Sequence, residues 1–196
     1  MLRVGLTGGL ASGKSTVARF LSERGAAVFD ADAIVRELYE PGGAGEAAAR
    51  DLFGGAIADD SGNVDRSRIA ALVFSDPEAR HALEARIHPL VGLEIERRFH
   101  AAEAGGARVA VAEASQLLEA KTESRYDRVV LVIATEQDRI RRWQKKGGDV
   151  EDARRRMGAQ LSPAEAFDRA TDVIVNDGTL ADLERKVEGL WRTWLE

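Results

Sequence analysis

Gly8-Gly9-Leu10-Ala11-Ser12-Gly13-Lys14-Ser15-Thr16 comes directly after an apolar run with Val4 and Leu6 and directly before a helical pattern with Val17, Ala18, Phe20 and Leu21. That context makes it a strand-to-helix turn. Gly8, Gly13, Lys14 and Ser15 fit G-x-x-x-x-G-K-[ST], the spacing at which backbone N–H groups wrap a phosphate chain. Glycine suits such a turn because it takes positive φ without strain and puts no Cβ beside the phosphate oxygens. The following helix aims its unpaired N–H groups and partial positive charge at the same anion. Lys14 is then expected against the terminal phosphates, with the Ser15 hydroxyl on Mg2+. The plainer reading is a glycine-rich turn with one exposed lysine, but the strand before and the helix after favour a nucleotide site.

Outward from the loop, Leu2 to Thr7 reads as a strand buried on both faces, and Lys14 to Arg24 as a helix ended by Gly25. Ala26 to Phe29 is a second strand, delivering Asp30-Ala31-Asp32 at its carboxyl end, the edge where open parallel sheets bind ligands. On extended chain two such carboxylates point apart, so one is expected to face the phosphate site and the other to cap a helix from Ala33 to Tyr39. The alternative is that both are caps. Pro41-Gly42-Gly43 breaks the pattern, a short helix runs from Gly45 to Phe53, and Asp59-Asp60-Ser61-Gly62-Asn63 signals a turn of hairpin character.

From Arg66 the chain reads helical through Phe99 and Ala102, with a break at Ser75-Asp76-Pro77. Pro89 is expected to kink this run and to bias His88 out of the helical region. The roughly sixty residues between strands exceed a simple crossover and read as an inserted helical lobe. Arg108 to Ala112, ending in Glu113, then Arg128 to Ala134 and Asp172 to Val175 complete five strands, and Leu180 to Leu195 is an amphipathic closing helix with core anchors Trp191 and Trp194. Strands alternating with helices specify an α/β fold of P-loop NTPase type, a five-stranded parallel sheet with helices on both faces. The expected organisation is one domain over 1–196 with a helical lobe at about 33–105 and a short helical lid at about 137–160.

The lid reading comes from charge. Arg139, Arg141, Arg142, Lys145 and Lys146 precede a hinge-like Gly147-Gly148 break, and Arg154, Arg155 and Arg156 follow it on a second helix from Val150 to Gln160. In a chain of formal net charge −5, such a cluster looks built to close over an anion. Its competitor is two solvated helices paired by Glu136, Asp138, Glu151 and Asp152.

The 196 residues are 44% hydrophobic and 31% charged, an ordinary globular balance that predicts one domain with a real core. The acidic balance argues against a surface made to hold nucleic acid. No cysteine is present, which removes disulfides, thiolate metal sites and cysteine nucleophiles. Val129 to Ala134 is too short an apolar run to cross a bilayer. The first strand leaves no space for a signal peptide, so a cytoplasmic location is expected, with neither membrane nor obligatory protein partner. No residue grouping has transition-metal spacing, so Mg2+ carried with the nucleotide is the expected metal. His88 is placed to hydrogen-bond an acceptor, whereas His81 and His100 carry no such local signal. The residues alone leave open a kinase of a small hydroxylated acceptor, such as a nucleoside or nucleoside monophosphate, and a nucleotide-dependent switch. No Asn-Lys-x-Asp guanine signature is present.

The chain resembles the dephospho-CoA kinases nearly end to end. The resemblance is carried by Leu6 to Ala18, Val28-Phe29-Asp30-Ala31-Asp32 with Ile34 and Arg36, Glu40-Pro41-Gly42, Ile87-His88-Pro89-Leu90, Leu117-Leu118-Glu119, Arg141, Gln160, Ala170 to Asn176, and Gly178. It implies ATP-dependent phosphorylation of the 3′-hydroxyl of the ribose of dephospho-CoA. It further implies that Gly9 and Ala11 to Thr16 (Ala11, Ser12, Gly13, Lys14, Ser15, Thr16) hold ATP, and that Asp32 lies close to that loop, orients the acceptor hydroxyl and takes its proton. Arg36 and His88 would receive dephospho-CoA in the helical lobe, Lys14 and Arg141 would act in catalysis, Arg141 from the lid, and Asn176 would lie near adenine. Four places depart from the family pattern. Ala11 stands where many members have glycine, a change that is tolerable at negative φ. Ser115-Gln116 replace Pro-Leu, Asp138 replaces glutamine, and Lys145 replaces arginine, trading a bidentate fork for a point charge.

Overall fold

Short runs of apolar and β-branched residues build the sheet of this computed structural model, which describes residues 1–196. β1 (Leu2–Gly8), β2 (Ala27–Asp30), β3 (Val109–Glu113), β4 (Arg128–Ile133) and β5 (Asp172–Val175) are all parallel, in the order β2-β3-β1-β4-β5. Both faces of the inner strands are covered, which is why they read as nearly continuous apolar runs. Along β4, Val130 and Val132 join one core with Val4, Leu6, Val109 and Val111. Val129 and Leu131 join another with Leu117, Leu118 and Ala166. This is the two-residue alternation of a strand between two layers. Two helices, α1 (Lys14–Glu23) and α9 (Leu180–Leu195), cover the first face. They bury Val17, Leu21, Leu183 and Val187, with Trp191 and Trp194 partly buried against them.

The chain divides into two compact units, residues 1–30 with 99–196, and residues 31–98. The second is helical. It holds α2 (Ala31–Leu38), α3 (Ala44–Phe53), α4 (Arg66–Ser75) and most of α5 (Pro77–Ala104), around a core of Ala49, Ile57, Ile69, Leu83 and Ile87. A single antiparallel bridge, Ala58 to Val64, closes the expected turn, where Asp59 accepts hydrogen bonds from the Ser61 and Asn63 N–H groups at 2.9 and 2.8 Å.

Two local expectations are corrected in this unit. The chain turns helical at Ala31, so Asp32 lies in the first turn of α2 and not on extended backbone. α5 runs unbroken through Pro89, so His88 is helical. A proline removes one N–H from the ladder, and burial of Leu83 and Ile87 in the preceding turns offsets that loss.

In the sheet unit, α6 (Glu136–Lys145) and α7 (Val150–Gly158) flank the Gly147-Gly148 pair. This pair forms a packed turn. Gly147, at φ +82, donates to the Gln144 carbonyl at 2.9 Å, and Gly148 donates to that of Trp143 at 3.1 Å. A Cβ on Gly148 would run into the Trp143 indole, and Arg156 of α7 lies 5.5 Å from that ring's centroid. α7 ends two residues before the expected Gln160. A further helix, α8 (Pro163–Asp168), follows, started by a reciprocal capping box between Ser162 and Glu165.

Candidate nucleotide-binding site

The sheet register brings the loop to a common edge with two carboxylates. Gly8 pairs with Val132 at the end of β4, and Asp30 pairs with Glu113 at the ends of β2 and β3. Gly8 and Gly13 have φ of +149 and +109. Ala11 has φ +54, so the negative φ that would have made alanine tolerable here is not found, and the left-handed conformation costs an alanine about 1–2 kcal/mol. α1 has no side-chain cap and no acidic residue in its first turn, which leaves the positive end of its dipole to an anion.

The loop's carbonyl groups are held on the other side. Lys14 Nζ donates to Gly8 O at 2.7 Å and Gly9 O at 3.3 Å. Arg139 Nε donates to Leu10 O at 2.7 Å. Ser12 O accepts from Asn176 Nδ2 at 2.7 Å and from Arg142 Nη1 at 3.1 Å. The Ser15 hydroxyl donates to Glu113 Oε1 at 2.8 Å. Beside the loop lies a cavity of about 540 Å³, with Gly9, Ser12, Glu119, Arg139, Met157 and Gln160 among its lining residues. The Ser12 Oγ is buried there without a hydrogen-bond partner.

The arginines need reassignment. Arg139 and Arg142, three residues apart on one face of α6, reach the loop, whereas Arg141 points away, exposed and paired with Asp138. Burial pushes the Arg139 guanidinium below its ordinary pKa. Asn176 is buried, and its amide is committed to the Ser12 carbonyl. Thr16 lies in the first turn of α1.

In the helical unit, Asp32 and Arg36 are both exposed and lie four apart on α2, hence on the same face. His88 is exposed beside buried Ile87, so it is not a core histidine. Glu113 had been read only as a strand terminus. Its signal was its place at the carboxyl end of β3, the same edge that singled out Asp30. Arg139 could have been found from its i, i+3 relation to Arg142 on a helix that must face the loop.

A family profile described as dephospho-CoA kinase matches residues 2–182. A dephospho-CoA kinase of Corynebacterium glutamicum is 41% identical over 192 residues, covering 97% of this chain and 96% of that protein. A solved structure from Thermus thermophilus superposes with a TM-score of 0.79 at 36% identity, covering 98% of this chain and 97% of the other. A dephospho-CoA kinase from Campylobacter jejuni, at 19% identity, shares the fold with a TM-score of 0.73 over 97% of this chain and 95% of its own.

Proposed function

We propose the workings of this chain from one premise: it belongs to the dephospho-CoA kinase family. Its reaction is transfer of the γ-phosphoryl group of ATP to the 3′-hydroxyl of the ribose of dephospho-CoA, giving CoA and ADP, the last step of coenzyme A biosynthesis. Such a transfer asks the protein mainly for positioning and charge neutralisation.

The backbone N–H groups of Ala11, Gly13, Lys14 and Ser15, with the Lys14 ammonium, hold the triphosphate, while the N–H groups of Ser12 and Thr16 donate to Gly9 O and Gly13 O, each at 3.1 Å. The observation that carries this assignment is the division of the loop into two sides. The carbonyls of Gly8, Gly9, Leu10 and Ser12 are engaged by Lys14, Arg139, Arg142 and Asn176, and α1 has no side-chain cap. Phosphate oxygens therefore meet donors. Lys14 Nζ, held by two carbonyls, is close enough to exchange them for phosphate oxygens. Ser15 Oγ and the Glu113 carboxylate are hard oxygen donors 2.8 Å apart, a set that suits Mg2+. Bound there with ATP, the ion would neutralise phosphate charge.

Asp32 takes the proton of the 3′-hydroxyl as that oxygen bonds to the γ-phosphorus and the bond to the bridging oxygen of ADP breaks. Arg36, on the same face of α2, and exposed His88 serve dephospho-CoA recognition in the helical unit. Arg139 and Arg142, which reach the loop, supply the positive charge that the sequence assigned to Arg141, and Asn176 supports the loop near the nucleoside end. We place the enzyme in the cytoplasm, where its phosphoryl donor is held. No helix is long and apolar enough to cross a membrane.

The test is ATP consumption with dephospho-CoA, adenosine, AMP or no acceptor. Stimulation is expected with dephospho-CoA alone. Lys14→Ala should reduce transfer to background with an unchanged circular dichroism spectrum, and near-normal turnover would remove the loop from the reaction.

A further inference from the structure

Leu10 is held by both of its backbone polar groups, one on each of the two peptides that flank its Cα, in one small network. Its carbonyl accepts from Arg139 Nε at 2.7 Å, and its N–H donates to Gln160 Oε1 at 3.0 Å. Arg139 Nη2 donates to the same Gln160 oxygen at 2.8 Å. The ring of hydrogen bonds joins three pieces of chain: the loop, α6, and the turn between α7 and α8. Gly9 is shaped to it, because a Cβ there would strike the Arg139 guanidinium and approach Gln160 Oε1 to 2.9 Å. This glycine is needed for the arginine as well as for any phosphate.

Arg139 is an unusual group to spend on such a contact. It is half-buried, its two hydrogen bonds both go to neutral oxygens, and Glu136, the carboxylate whose charge acts on it, makes no direct ion pair such as Asp138 makes with Arg141. Partly desolvating a cation that has no direct ion pair is costly, so the arrangement points to a role beyond simple stability. Leu10 immediately precedes Ala11, where the backbone turns left-handed. A rotated Leu10 peptide would present its carbonyl oxygen to the triphosphate.

We infer that Arg139 and Gln160 are positioning residues that lock Leu10, through the peptides on both sides of it, with its carbonyl turned away from ATP, so that the α6–α7 pair sets the shape of the phosphate loop. The pair is suited to this because Trp143, Gly148 and Arg156 pack its turn, while Arg139 and Gln160 anchor it at its base. The inference rests on the reading of the loop as the ATP site.

The experiment measures kcat, KM for ATP and direct ATP affinity for Arg139→Ala, Arg139→Lys, Gln160→Leu, Gln160→Glu and the double variant Arg139→Ala/Gln160→Leu, with Lys14→Ala as control. Gln160 uses only an acceptor oxygen in the network, so Gln160→Glu keeps both bonds and should stay within about threefold of the parent. Arg139→Ala and Gln160→Leu should each weaken ATP binding by about tenfold, the scale of one charge-assisted hydrogen bond. The double variant should be no worse than the weaker single one, since Arg139 and Gln160 are bonded to each other and either loss opens the same ring. Arg139→Lys, a point charge that cannot bridge both oxygens, should fall between. Amide exchange at Leu10 should accelerate in Gln160→Leu, a change that lost packing elsewhere would not produce. Parent-like ATP affinity in Arg139→Ala and Gln160→Leu, or additive losses in the double variant, would overturn the inference while an inactive Lys14→Ala leaves the site reading intact. A fully active Lys14→Ala would overturn both.

Discussion

Replacing Ala11 by glycine should make the protein more stable, which is the opposite of the usual effect of that substitution. In an ordinary conformation glycine widens the unfolded ensemble and costs about 0.4–1 kcal/mol. Ala11 sits at φ +54, where an L side chain is strained by about 1–2 kcal/mol and glycine is not. The difference leaves a net gain of roughly 0.5–1 kcal/mol for Ala11→Gly. For a domain of this size each kcal/mol moves Tm by about 2–4 °C, so Tm should rise by roughly 1–4 °C. Thermal unfolding followed by circular dichroism, without nucleotide, reads it directly. The sign decides: a fall of about 1–2 °C would mean that Ala11 has negative φ and that the loop geometry is wrong.

Three further perturbations follow the same logic. Gly148→Ala should lower Tm by about 2–12 °C in the same assay, because a methyl group against the Trp143 indole overpacks the turn by roughly 1–3 kcal/mol; an unchanged Tm would mean that the turn is not tightly packed against the ring. Glu94 is held at a pKa of about 2, chiefly by its hydrogen bond from Arg97, with Arg98 adding to it. A carboxylate depressed on folding contributes stability above its unfolded pKa and loses it as pH falls through the folded value. Glu94→Gln should therefore flatten the loss of stability between about pH 5 and pH 2, and parallel acid-unfolding curves for parent and variant would refute the assignment. Glu113→Ala should raise the Mg2+ concentration needed for half-maximal rate several-fold through loss of the carboxylate beside Ser15, and an unchanged Mg2+ titration would remove Glu113 from the metal site.

What was legible in the sequence was what local pattern decides. The runs read from Leu2 to Thr7, Arg128 to Ala134 and Asp172 to Val175 form the strands Leu2–Gly8, Arg128–Ile133 and Asp172–Val175, the last only partly buried, and the apolar stripe of Leu180–Leu195 marks the closing helix to the residue. The loop was legible because its spacing and both flanks agree. Choices made by packing were not. Pro89 reads as a helix breaker, yet its neighbours Leu83 and Ile87 are locked in a core. Gly147-Gly148 reads as a hinge until the Trp143 ring is seen against it. Which of three arginines on α6 meets the loop depends on how that helix is rotated, and charge counting cannot say. α8 had a usable signal, Ser162-Pro163-Ala164-Glu165, a capping box with proline at the first helical position.

The claim on which the mechanism turns is that Asp32 takes the proton of the acceptor hydroxyl. Steady-state kinetics of Asp32→Asn with saturating dephospho-CoA and varied ATP test it most directly. The account predicts a fall in kcat of about 10²–10⁴-fold, the usual worth of a general base, with KM for ATP within a few-fold of the parent. An unchanged kcat would contradict it and move the role to Asp30 at the end of β2.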